Sequence, residues 1–128
     1  MERKIIATAA FFGMTAVILG AFAAHKLKEL LAPEMLSAFE TGVKYQMYHV
    51  FLLLFVGISP AVSAGAKKAV FWLTSAGILF FSGSIYLLST TAISGVDFKS
   101  IGLITPLGGL LLIAAWATVV INFMSKKS

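Results

Sequence analysis

Two histidines, three tyrosines and a few hydroxyls are the side chains in this sequence that could do chemistry. Thr41, Tyr45, Tyr48 and His49 fall three and four residues apart, so they share one face of a helix and can point together toward neighbouring helices. Gln46 lies among them; His25 precedes them, Ser82, Ser84 and Tyr86 follow, and Thr105 comes last. A neutral imidazole at His49 needs one donor and one acceptor, for which Tyr86, Ser84 and Thr105 are candidates. These residues support no complete catalytic set. Ser82 or Ser84 with His49 lacks an acid to orient the imidazole, and no Gly-x-Ser-x-Gly elbow is present. His25 and His49 with Glu29 or Glu40 imitate a His-His-carboxylate set, but there is no His-Glu-x-x-His pair. A proton pump calls for a carboxylate within a span, and the apolar runs contain none. We therefore expect no enzyme, no metal and no cofactor.

The elements that position these residues follow from composition. The chain has 128 residues, 59 % hydrophobic and 12 % charged. Soluble domains hold about 45–50 % and about 25 %. A single small soluble domain could not hide that much apolar surface, so the reading is an all-α membrane protein of one domain, 1–128. The absence of cysteine excludes a disulfide and thiolate chemistry. The net charge of +5 does not signal nucleic acid, because the basic residues flank apolar runs instead of forming a patch.

Four apolar runs cover approximately 5–24, 45–60, 69–90 and 101–124. A helix of about 20 residues crosses the roughly 30 Å hydrocarbon core. The second run is short alone, but a helix starting near Pro33 would carry it, and Glu40 and Lys44 stand in the favoured order for a helical pair. The expectation is a four-transmembrane-helix bundle with an amphipathic interfacial helix, 33–44, between spans 1 and 2. Ala21, Phe22 and Ala23 look like a signal cleavage site, but the run before them is too long for a signal peptide.

An even number of spans puts both termini on one side. The N-terminus, a 61–68 loop and the C-terminus bring Arg3, Lys4, Lys67, Lys68, Lys126 and Lys127 to that side, against Lys26, Lys28, Lys44 and Lys99 on the other. The excess of basic residues predicts cytoplasmic termini, with the 25–44 connection and the 91–100 loop facing outward. The candidate polar residues then gather in the outer half of the bundle, leaving an inner half of nearly featureless apolar side chains. Ala9, Gly13, Ala16, Gly20 and Ala24 form a small-residue stripe in the first span, and Gly108 and Gly109 form a notch in the fourth. Such residues let helices approach closely in lipid.

Four blocks carry a resemblance. They are Gly20–His25 (Gly-Ala-Phe-Ala-Ala-His), Thr41–His49 (Thr-Gly-Val-Lys-Tyr-Gln-Met-Tyr-His), Phe81–Tyr86 (Phe-Ser-Gly-Ser-Ile-Tyr) and Ile104–Gly109 (Ile-Thr-Pro-Leu-Gly-Gly). Together they resemble the domain-of-unknown-function family 423, small membrane proteins that include the animal transmembrane protein 256. The chain departs from the family at Ala23, where glycine is frequent. The resemblance implies a four-span protein of a bacterial inner membrane and implies no activity.

The function expected from these readings is non-enzymatic. An outward-facing polar pocket built from His25, Thr41, Tyr45, Gln46, Tyr48, His49, Ser82, Ser84, Tyr86 and Thr105 would bind a lipid headgroup or small amphiphile. The alternatives are an accessory subunit packed into a larger membrane complex through its small-residue faces, and an oligomeric small transporter. The bland reading of the same residues is structural: interfacial histidines, serines bonded to their own helices, and Tyr45, Tyr48 and Trp72 as interface anchors.

Overall fold

The computed structural model describes residues 2–95 and 101–125. Asp97, Lys99, Lys126, Lys127 and the whole second half of the 91–100 loop lie outside the described residues. The described chain is all-helical. Helix α1 runs Glu2–Phe22, continues through one wider π-turn at Ala23–Leu27, and ends as the short α2, Lys28–Leu30. Leu31 and Ala32 are extended, the conformation favoured immediately before a proline, and Pro33 then occupies the first turn of α3, Pro33–Ile58. Ser59 is extended before Pro60 for the same reason, which ends α3. Ser63 caps α4, Ala64–Ser89, by accepting a bond from the Ala66 amide at 3.1 Å. Helix α4 thus starts five residues before the apolar run at 69. A single turn, α5 at Thr91–Ser94, stops at Gly95, whose φ of +74° supplies the left-handed cap. Helix α6 covers Ile104–Met124.

Among the described residues, three helices are long and apolar enough to cross a membrane: Glu2–Leu30, Ala64–Ser89 and Ile104–Met124. Helix α3 matches α4 in length, at 26 residues, but Glu34, Glu40 and Lys44 make its first half polar, and Gln46 and His49 follow them. Residues 33–44 open one continuous helix with the second apolar run.

Packing proceeds in chain order, α1 on α3, α3 on α4 and α4 on α6. Ile5, Ala9, Phe12, Leu53, Val56, Val70 and Ile78 form the main core, and Ala23, Leu27, Leu31 and Phe39 form a second cluster at the opposite end. Ala9 and Ala16 are buried, Gly13 faces Val50 and Gly20 faces Val43, so the small-residue stripe is spent on α3. Ala24 does not belong to it. A helix turns every 3.6 residues, so the buried face has drifted to Ala23 at this point, and Ala24 is exposed. At the α4–α6 crossing, a Cβ on Gly108 would meet the Phe80 carbonyl carbon at 2.7 Å and Phe81 Cα at 2.8 Å. Gly109 has no such neighbour; its nearest is the Phe81 ring, at 3.7 Å.

The expected featureless inner half is corrected. Lys67 is not in a loop. It sits in the first turn of α4, 4 % exposed, bonded to Glu2 Oε2 at 2.6 Å and to the Gly57 carbonyl at 3.3 Å. The ammonium beside Glu2 holds that carboxyl below its usual range. On the same end, Asn122 accepts from the Ser63 amide and donates to the Ala61 carbonyl, both at 3.0 Å, so α6 clasps the α3–α4 connection. The beginnings of α1 and α4 and the end of α6 therefore meet at one end of the bundle.

Candidate functional site

The ten candidate residues do not form one pocket. The structure distributes nine of them over four places and leaves Tyr48 outside all four. The most buried is centred on Gln46, 3 % exposed. Its amide donates to the Phe12 carbonyl at 2.8 Å and to Thr15 Oγ1 at 2.9 Å, and its carbonyl accepts from Tyr86 O–H at 2.6 Å. The orientation of the amide is fixed, since Phe12 offers only an acceptor and Thr15 already gives its proton to Phe12 at 3.1 Å. One side chain thereby ties α1, α3 and α4 together. Tyr86 lies over Gly42, where a Cβ would stand 2.8 Å from its ring, and stacks at 4.9 Å on Phe39. Ser82 does not bond to its own helix; it donates across to the Gly42 carbonyl at 2.7 Å.

The second place joins α4 to α6. Ser84 gives its proton to the Phe81 carbonyl at 3.0 Å, which leaves Thr105 to donate to Ser84. The third is the π-turn. His25 is exposed there, in an open hollow with Lys26, Lys28 and Glu29, apart from the His49 groove.

The fourth place is a groove of about 350 Å³ between α3, α4 and α6. Thr41, Tyr45 and His49 form its α3 wall, as the helical spacing predicts, while Phe81, Leu112 and Trp116 supply the facing wall. The Tyr45 ring packs at 5.3 Å on Phe81. Tyr48 does not point inward with the others. It is 50 % exposed and lies outside the groove, 5.5 Å from Tyr45. Thr41 donates to the Ser37 carbonyl of its own helix at 3.1 Å, leaving its lone pairs free. No lining residue of this groove carries a fixed charge.

The partners of His49 are not those expected. Nδ1 lies 2.7 Å from the Tyr45 carbonyl, and Nε2 accepts from the indole N–H of Trp116 at 2.9 Å. A carbonyl can only accept and an indole can only donate. His49 is therefore the neutral tautomer with its proton on Nδ1, and Nε2 is an acceptor. The rings meet edge-on, 5.8 Å between centroids. Trp116 escaped the sequence reading because it stands alone in an apolar run with no polar neighbour to mark it. Thr15 escaped for the same reason. Among the described residues no group of three or more His, Cys, Asp or Glu side chains is placed to hold a metal.

All-helical over its described residues, with several apolar helices and internally bonded polar side chains, the chain belongs with the small multi-helix membrane proteins. The family described as "Protein of unknown function (DUF423)" matches residues 19–109, and the chain belongs to it. It is 43 % identical to a UPF0382 membrane protein of Staphylococcus saprophyticus over 94 % of this chain and 96 % of that one. It is 40 % identical to one of Bacillus subtilis (93 % and 94 %) and 34 % identical to one of Haemophilus influenzae (100 % and 99 %). No solved structure matches it.

Proposed function

We propose that this membrane protein holds a small amphiphile, a lipid or a molecule like one, in the α3–α4–α6 groove. The observation that carries the reading is the groove itself. Its volume falls within the range of small-molecule sites, its walls are aromatic and aliphatic, and a few polar atoms converge at one edge. Apolar walls suit an acyl chain. The hydroxyl-bearing Thr41 and Tyr45 on its α3 wall suit a headgroup. The buried Gln46–Tyr86 and Ser84–Thr105 pairs hold the three groove helices in place without touching the ligand.

The same reading puts four helices across a bacterial inner membrane with both termini in the cytoplasm. The continuous α3, at 26 residues, reaches roughly 39 Å, enough to cross with its polar opening at the outer surface. The excess of Lys and Arg at the end shared by Glu2 and Lys67 supports that direction.

Native mass spectrometry of protein released from mild detergent tests the binding. The expected result is a discrete added mass that disappears in Gly109→Leu, which fills the groove from a position with room for a side chain. Bare wild-type protein, or an added mass that survives Gly109→Leu, refutes it. The topology is tested in intact cells with an impermeant maleimide. The chain has no cysteine, so Lys28→Cys reports one side and Lys68→Cys the other. Labelling at Lys28→Cys alone is expected; labelling at Lys68→Cys alone reverses the direction.

A further inference from the structure

We infer that the groove selects an uncharged amphiphile bearing a hydroxyl donor, which takes the place of the Trp116 indole on His49 Nε2. This rests on the groove reading above and narrows its ligand.

The argument starts from the fixed tautomer. The Tyr45 carbonyl, 2.7 Å from Nδ1, belongs to the preceding turn of the same helix and holds the imidazole proton on that side. Nε2 therefore presents a lone pair toward the groove whatever stands opposite it. Trp116 now fills that role with its N–H at 2.9 Å. Trp116 is 46 % exposed and sits on α6 at the groove wall, so it can swing outward without emptying the core. His49 is 4 % exposed and cannot turn to water for a replacement. Any molecule that displaces the indole must then bring a donor of its own. A ketone, an ester or a quinone carbonyl would set acceptor against acceptor. A phosphate or carboxylate would do the same and would enter an uncharged groove with no cation to offset its desolvation. An alcohol satisfies Nε2, can accept from the Tyr45 hydroxyl, and leaves its chains for the Phe81 and Leu112 walls. A site that demands a donor discriminates strongly against an analogue lacking it, because a buried acceptor is left unpaired.

The test uses three probes of matched chain length: 1,2-dioctanoylglycerol, its 3-acetyl ester, and dioctanoyl phosphatidic acid. Binding is read by native mass spectrometry and by emission of Trp116 in a Trp72→Phe background, where it is the sole tryptophan. Dioctanoylglycerol is expected to bind and to change the Trp116 emission, with the acetyl ester and the phosphatidic acid weaker by about tenfold or more. Trp116→Phe removes the competing internal donor and is expected to tighten dioctanoylglycerol by about fivefold. His49→Phe is expected to bind the alcohol and its ester equally. Equal binding of alcohol and ester to wild type, or tighter phosphatidic acid, overturns the donor requirement while the groove reading stands. Absence of binding by all three probes to both wild type and Trp116→Phe, with bare native protein, overturns both.

Discussion

Substituting Gly108 by alanine tests the α4–α6 crossing directly. The added Cβ would lie 2.7 Å from the Phe80 carbonyl carbon and 2.8 Å from Phe81 Cα. Both are backbone atoms inside α4, so no rotamer change relieves the clash. Unstrained carbon pairs sit about 3.5–4.0 Å apart, so α6 must retreat by roughly 1 Å at this point. A gap of that size forfeits about a quarter to a half of the dispersion attraction along the contact. Leu112 and Ala115, buried against α4, lie on the same face, and Leu112 fills the hollow over Gly77. The Ser84–Thr105 bond is three residues from the crossing and loosens with it. Overpacking a tight core costs about 1–3 kcal/mol, and a backbone obstacle places this case at the upper end, about 2–3 kcal/mol. The assay is helicity and Trp116 emission during titration of detergent-solubilised protein with dodecyl sulfate. Gly109→Ala is the control, because its Cβ would meet only the Phe81 ring at 3.7 Å. It is expected to unfold with wild type. Equal stability of Gly108→Ala and wild type, or equal loss in both variants, would refute the close-approach argument.

Three further outcomes follow from the polar contacts. Tyr86→Phe leaves the buried Gln46 carbonyl unpaired and is expected to cost about 1–2 kcal/mol, with Gln46→Leu costing about 1–3 kcal/mol; the double variant should lose less than the sum in the same titration, and strict additivity would mean the two do not act as a pair. Glu2 is held below its ordinary value of 4.5 by Lys67, so the pair's contribution is fully present above that value and is lost as pH falls through the lowered one. Glu2→Gln should therefore be less stable than wild type at pH 7, the difference closing in acid; a difference independent of pH would contradict the pairing. Asn122→Ala breaks both bonds of the α6 clasp and is expected to cost about 0.5–1.5 kcal/mol, read as faster amide exchange at Ser63.

The helical architecture was legible because apolar run length and proline position report it directly. Pro33 and Pro60 mark both ends of α3, and the period of Thr41, Tyr45 and His49 put three residues on the wall they occupy. Tyr48 was misjudged because a residue seven beyond Thr41 and three beyond Tyr45 falls at the edge of that face, where the helix has already turned to the exterior. The partners of His49 and Gln46 were not legible. Both depend on which apolar helix arrives opposite, and Trp116, Thr15 and the Phe12 carbonyl carry no local signature of that. Lys67 was misread for a different reason: a lysine next to another lysine reads as a loop charge, whereas Ser63 caps a helix that starts earlier and draws Lys67 into its first turn beside Glu2.

The order of packing bears on how the protein is made. Each long helix after the first packs on the long helix before it in the chain, α3 on α1, α4 on α3, α6 on α4. After α1, each long helix emerging from the ribosome therefore finds a partner already made. Contacts this local in sequence close short loops and assemble quickly. Gln46 seals α1 to α3 when Tyr86 arrives on α4, and Asn122, near the end of the last helix, fastens the α3–α4 connection after both of its flanking helices are in place. Assembly can thus be followed as a series of truncations, each ending after one helix and each expected to retain the pairings made before it.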